Sequence, residues 1–336
     1  MLLNPHVIKP LIHLIAALVG GALTAGSALA LDTRRAEVRQ FIDEMNRDYG
    51  FDRNDLTHLL AQADTKQAIL DAISRPAEHV VPWFEYRERF LTEKRILQGT
   101  DFWQAHAQRL ADIKEDGIAA TVAGILGVET SYGRITGRYR VIDALATLAF
   151  DYPPRGEFFR GELQQFLILA REEAVDPKAA LGSYAGAMGA PQFISSSYRT
   201  FAVDADGDGH RDLWSNWDDV IGSVANYLRV HGWRDSEPVV VVARVSEADL
   251  ARFDTSKIEL NETVQSLRDK GARFDTDQPA DAPAMLIAVQ GKDGPEYRVG
   301  FNNFFVITRY NRSNMYAMAV HDLGQAIHGF MRDAEK

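Results

Sequence analysis

Glu129 lies in DGIAATVAGILGVETSYG, where Val122, Ile125 and Glu129 fall at i, i+3 and i+7, so a carboxylate shares a helical stripe with apolar side chains. Burial against such neighbours disfavours the ionised form and raises the pKa, which suits a general acid that must hold a proton near neutral pH. The same spacing also fits a glutamate at the rim of a helix ending at Gly133 and reaching into water. A second constellation is Asp204-Ala-Asp206-Gly-Asp208-Gly209-His210, with carboxylates at alternating positions and a glycine at the sixth. That pattern wraps hard oxygen ligands around a cation while the glycine permits a sharp turn. The usual loop ends on a bidentate glutamate at its twelfth position, where this chain has Ser215; Asp218 and Asp219 follow, so an enlarged loop could close on either. Calcium suits an irregular all-oxygen cage better than magnesium, with a solvated Asp/Gly turn as the plain alternative and Asp212 as a ligand through water or a bystander.

The elements that must position these groups are mostly helical. RRAEVRQFIDEMNRDYG, NDLTHLLAQA, TKQAILDAIS, PWFEYRERFLTEKRI and TDFWQAHAQRLADIKE carry helical periodicity, with Asn54 and Thr65 as expected N-caps and Gly50 as an expected stop. Helices are also expected over 117–128, 161–173 and 315–331, and Asp143 in VIDALATLAF is expected to cap another. LGSYAGAMGAPQFISSS (181–197) is small and polar, hence a loop whose backbone can approach something bulky. After Trp233 the runs VVVVARV (239–245), MLIAV (285–289) and FFVIT (304–308) read as strands, with a turn at 291–294 joining two of them.

Composition restricts the functions. The chain has 336 residues, 46% apolar, enough for a sizeable core and two or three domains. A stretch with Lys9, then an apolar run ending Ala28-Leu29-Ala30, reads as a cleavable secretory leader, so the mature chain is expected to begin at Leu31 with no stable membrane anchor; an uncleaved anchor, for which the run is just long enough, is the alternative. There is no cysteine, which removes disulfides, thiolate metal sites, a cysteine nucleophile and a lipid-modified N-terminus. A formal charge of −10, with no basic run, argues against nucleic acid as a partner.

Together, GVETSYG, SYAGAMGAPQF (183–193), the enlarged calcium-type loop, IGSVANYLRVHGW and RYNRSNMYAMAV closely resemble the membrane-bound lytic murein transglycosylase B family, in order and from about Phe41 to the C-terminus. The resemblance implies an α+β, mainly helical fold: a lysozyme-like core with an added helical domain and a small β domain. It implies a leader at 1–30, a helical domain at 31–105, the core at 106–233 with its loop at 204–219, a β-rich domain at 234–308, and a C-terminal segment at 309–336 returning to the cleft. It implies cleavage of the MurNAc-GlcNAc bond of peptidoglycan without water, leaving a 1,6-anhydro ring. Glu129 matches the single acid/base, Ser183 and Gln192 the sugar site, Tyr86 and Tyr227 aromatic groups of the cleft, and Tyr310, Asn311 and Tyr316 the cluster around the acid. Arg155 matches one of two arginines associated with the peptide side, the other position being Pro154 here. Asp204, Asp206, Asp208, the His210 carbonyl and Asp219, or Asp218, match calcium ligands; no organic cofactor is implied. Lacking the lipidated cysteine, the chain is similar to soluble periplasmic members, whose partners include glycan strands and, as an open class, wall-synthesis or division proteins.

A retaining glycosidase needs a second carboxylate about 5 Å from the acid. Nothing near Glu129 announces such a partner; the candidates Asp143 and Asp151 read as a cap and a turn residue, and a lone acid is compatible with a substrate-assisted route. The competing readings are a hydrolytic muramidase on the same core and a calcium-stabilised peptidoglycan-binding protein without turnover.

Overall fold

A computed structural model describes residues 29–74, 81–115 and 117–334. The expected leader falls outside these residues except for Leu29 and Ala30, which pair antiparallel with Thr65 and Asp64. The fold is α+β and mainly helical. Among the described residues no helix is long and apolar enough to cross a membrane. The chain forms two compact units, one from residues 29–74 and 129–224, the other from 81–128 and 225–334.

In the first unit, helix Ala36–Tyr49 buries Val38, Phe41, Ile42 and Met45 along one stripe and stops at Gly50, whose φ of 68° lets its own N–H reach the Asn46 carbonyl and the Phe51 N–H reach that of Met45. The next helix, Arg53–Leu60, is capped by Asp52 rather than Asn54, because the Asp52 carboxylate accepts the N–H groups of Asn54 and Asp55. Thr65 caps nothing; it lies in a two-residue strand, and the following helix is Gln67–Ser74. Helix Val141–Asp151 buries every residue from Val141 to Phe150 and packs on helix Gly156–Glu172. Asp143 is the third residue of that helix, not its cap. Its fully buried carboxylate meets Lys66 Nζ at 2.8 Å and Arg140 at 2.8 Å and accepts the Asp64 N–H at 2.9 Å. Two cations and a backbone donor compensate the desolvation that a lone buried charge would suffer.

In the second unit, the part of helix Ile118–Thr130 up to Val128 meets helix Asn314–Ala334 through small residues. A Cβ on Gly124 would stand 2.2 Å from the Val320 carbonyl, and one on Gly324 would stand 2.3 Å from the Ala120 carbonyl. Only glycine allows backbones that close. The antiparallel sheet has the order Val240–Ala243, Pro295–Gly300, Pro283–Gln290, Glu262–Thr263, over a core of Val264, Leu267, Leu286, Tyr297, Val299 and Phe301. The 291–294 turn joins strands Pro283–Gln290 and Pro295–Gly300. FFVIT is not a strand: it belongs to helix Asn302–Tyr310, where Asn303, Phe304, Val306, Ile307 and Thr308 are buried. Burial on nearly all sides overrides the strand preference of β-branched residues.

Candidate functional site

Glu129 sits in the last turn of helix Ile118–Thr130, half-buried, and follows the fully buried Val122 and Ile125. Directly after it the chain makes three left-handed residues in a row, Ser131 (φ 53°), Tyr132 (φ 59°) and Gly133 (φ 75°). Such a run is strained for the two non-glycine residues, so something must hold it. Thr130, 1% exposed, does so: its Oγ1 donates to the Ala190 carbonyl at 2.8 Å and accepts the Gly133 N–H at 3.0 Å. Gly133 packs under Trp217, where a Cβ would stand 3.0 Å from the ring.

The loop expected at 181–197 is tied to this turn. Strand Tyr139–Arg140 pairs with Leu181–Gly182, Met188 bridges to Phe193, and the Ala190 N–H donates to Leu213. Ser183 is buried, and its Oγ accepts the N–H groups of Ala187 (3.0 Å) and Ala185 (3.3 Å). With both lone pairs taken, its hydroxyl proton is what it can offer a ligand. Gln192 is left-handed at φ 54°, and its Nε2 donates to the carbonyls of Thr136 and Gly189 at 3.0 Å each. Both amide protons are committed, so Oε1 remains as an acceptor.

Of the other carboxylates in the 143–162 stretch of this unit, Asp143, Asp151 and Glu162 are engaged elsewhere, and Glu157 is exposed. Asp143 is neutralised as described, and Asp151 pairs with Arg35 at 2.6 Å. Glu162, 5% exposed, accepts the Ser196 Oγ–H at 2.7 Å and the Ser196 N–H at 3.0 Å; burial pushes its carboxyl up, opposed by these bonds. Arg155 ends the turn Pro153–Arg155 and lies over Phe158 at 4.3 Å and Phe159 at 5.2 Å. Burial pushes its guanidinium below the ordinary value, opposed by the charges of Tyr152 and Glu162.

In the second unit, Tyr227, Tyr310 and Tyr316 come together. Tyr227 meets Tyr310 edge to face at 4.8 Å, and Tyr310 lies nearly parallel to Tyr316 at 6.5 Å. Tyr227 is buried, its hydroxyl donating to the Arg309 carbonyl at 2.6 Å, and His231 stacks on it at 4.0 Å. Burial raises the Tyr227 phenol and lowers the His231 imidazole. Asn311 Oδ1 is buried and has no hydrogen-bond partner among the described residues. Tyr86, in the same unit, is 1% exposed and lies against Phe90 at 5.1 Å and Trp83 at 6.3 Å.

In the Asp-rich loop, ligand atoms of Asp204, Asp206 and Asp219 lie within 4.8 Å of one another. Asp204 accepts N–H groups from Gly207 (2.7 Å), Gly209 (2.9 Å) and Asp208 (3.1 Å), which curls the loop around it. Asp208 instead turns to the His210 N–H at 2.8 Å. Asp219 is fully buried, and its oxygens accept from Ala205 and Asp212, both at 2.7 Å. Burial raises its carboxyl, and the charges of Asp206 and Asp204 add to the rise. Asp219, not Asp218, therefore faces the other acids. Asp212 serves as a turn clamp, accepting the N–H groups of Trp214 and Ser215. Three converging carboxylates, one buried and none within ion-pair distance of a lysine or arginine among the described residues, form a donor set suited to a hard cation.

Sequence reasoning missed Thr130, Glu162 and the role of Asp212. The bonds of the first two span 60 and 34 residues, which no local pattern displays.

The sequence model described as the transglycosylase SLT domain matches residues 33–325. Membrane-bound lytic murein transglycosylase B of Escherichia coli (strain K12) is 40% identical over 302 residues, 86% of this chain and 82% of that protein. The crystal structure of soluble lytic transglycosylase SltB1 from Pseudomonas aeruginosa is similar with a TM-score of 0.85 and 49% identity, covering 88% of this chain and 99% of that one. The Escherichia coli lytic transglycosylase Slt35 in complex with calcium gives a TM-score of 0.79 and 38% identity, over 90% and 96% of the two chains. With a family match over residues 33–325 and 40% identity over 302 residues, this chain belongs to the lytic murein transglycosylase family with the transglycosylase SLT domain.

Proposed function

We propose that this chain cleaves the glycan strands of peptidoglycan between N-acetylmuramic acid and N-acetylglucosamine, without water, using Glu129 as its one acid/base. The observation that carries this reading is the engagement of the alternative carboxylates. Asp143 is held by Lys66 and Arg140, Asp151 by Arg35, and Glu162 by Ser196, which supports Glu129 as the one acid/base. Protonated Glu129 gives its proton to the glycosidic oxygen as the bond to the muramic anomeric carbon breaks. The N-acetyl carbonyl supports the positive charge developing at that carbon. The Glu129 carboxylate then takes the proton of the muramic C6 hydroxyl, whose oxygen bonds to the anomeric carbon and closes the anhydro ring. Glu129 ends protonated as it began, and no water is consumed. Ring closure benefits from a nucleophile already attached to the substrate.

Ser183, with a proton to donate, and Gln192, with Oε1 to accept, suit the two ends of an acetamido group. Tyr86, Tyr227, Tyr310 and Tyr316 supply aromatic surface or support for it, Asn311 an acceptor, and Arg155 a cation for the peptide side. Asp204, Asp206 and Asp219 would hold calcium, with Asp208 and the His210 carbonyl as further oxygen donors, and a bound ion would offset the charge the three acids gather in the loop. The leader-like N-terminus supports export to the periplasm. Purified murein sacculi test the assignment: the chain should release anhydro-ended fragments and Glu129→Gln none. Equal release by both would remove Glu129 from the chemistry.

A further inference from the structure

Glu162 is a buried carboxylate that the reaction does not use, and its bonding points to another task. Helix Ser195–Phe201 begins three residues after Gln192 and has Ile194 at its N-cap, a side chain with no oxygen to offer. Ser195 Oγ, fully buried, makes no hydrogen bond among the described residues. The first turn of that helix is satisfied instead from helix Gly156–Glu172, where Glu162 takes both the Ser196 N–H and the Ser196 hydroxyl proton. The segment so anchored is under strain, since Gln192 holds φ 54° and keeps its amide pinned to Thr136 and Gly189. Phe193, 2% exposed, exchanges backbone bonds with Met188 and carries the constraint from the helix start to Gln192.

We propose that Glu162 is a positioning residue for the reaction: by anchoring Ser196 it fixes the register in which Gln192 presents Oε1 to the muramic N-acetyl group. This rests on the function proposed above. Glu162→Met keeps the volume but leaves the Ser196 N–H and hydroxyl without their acceptor, a cost that half-buried Ser196 partly recovers from water, so the variant is assayed well below its Tm, where it should be folded and misaligned.

The test is a double-mutant cycle on soluble uncrosslinked glycan strands, reading anhydro-product release for wild type, Glu162→Met, Gln192→Ala and the double variant. Glu162→Met should lower kcat about 10- to 100-fold with KM little changed, as small misplacements at a reacting centre do. Glu162→Gln, which can still accept one bond and give one to the serine oxygen, should recover most of the loss. In the Gln192→Ala background the Glu162 substitution should cost nothing more. Full additivity in the cycle, or a Glu162→Met enzyme of undiminished kcat, would overturn the proposal. If Glu162→Met does not fold, Ser196→Ala, which removes the hydroxyl donor to Glu162, takes its place in the cycle with Gln192→Ala and decides by the same criterion. A wild-type chain that releases no anhydro product would sink the function, not this residue's role within it.

Discussion

Replacing Thr130 with valine exchanges one hydroxyl for a methyl group of almost equal size, next to Glu129. The hydroxyl makes two bonds, to the Ala190 carbonyl at 2.8 Å and from the Gly133 N–H at 3.0 Å. Leaving a buried group unsatisfied costs about 1–3 kcal/mol. Gly133 is only half-buried and recovers part of its share from water, so the variant should lose roughly 2–4 kcal/mol. In a protein of this size that corresponds to a fall in Tm of about 3–6 °C. Activity should fall further than stability accounts for. Ser131 and Tyr132 each hold a left-handed backbone at roughly 1–2 kcal/mol. Freed from Thr130, the turn can relax, and the end of the Glu129 helix shifts relative to the Gln192 loop. A displacement near 1 Å at a catalytic group costs about 100-fold in rate. Differential scanning calorimetry and anhydro-muropeptide release, measured well below the variant's Tm, separate the two effects. Thr130→Ser keeps the hydroxyl and should restore most of the rate. A Thr130→Val enzyme with wild-type turnover and stability would refute the idea that this hydroxyl joins the acid to the sugar loop.

Chelation should lower Tm and added calcium should restore it, by about 2.7 kcal/mol of stability when the free ion is 100 times its Kd. Asp219→Asn should abolish that response while Asp218→Asn keeps it, checked by thermal melts with and without chelator; an unchanged response in the Asp219 variant would remove it from the ligand set. His321, whose imidazole burial pushes down from 6.5 to about 4, binds a proton in the unfolded chain before it does in the folded one. Stability should therefore be full above pH 6.5, decline by an amount on the order of 3 kcal/mol as pH falls toward 4, and decline less in His321→Gln, as urea titrations at several pH values would show.

Much of this was readable along the chain because the signals were local. The stripe of Val122, Ile125 and Glu129 marked a buried helix with its acid at the end, and the alternating acids marked the loop. The glycine stop at Gly50 is where periodicity placed it. Where sequence reading went astray, tertiary burial had outvoted a local preference. Phe304 to Thr308 have strand-forming side chains, yet the surroundings of helix Asn302–Tyr310 bury them on nearly every side. Strand Pro295–Gly300 escaped notice because Glu296 and Arg298 interrupt the apolar alternation, although Tyr297 and Val299 point into the core. Asp143 looked like a cap because its type favours caps; two basic neighbours distant in sequence or one turn away let it be buried. The choice between Asp218 and Asp219 needed three dimensions, since only the direction of the side chain separates adjacent acids.

The central claim is that one glutamate suffices because the sugar supplies its own nucleophile. Digestion of sacculi in heavy-oxygen water tests it most directly, by the mass of the new muramic ends. The account predicts ends lighter by one water than a hydrolysed reducing end and carrying no label from solvent; labelled, full-mass ends formed by the enzyme would contradict it.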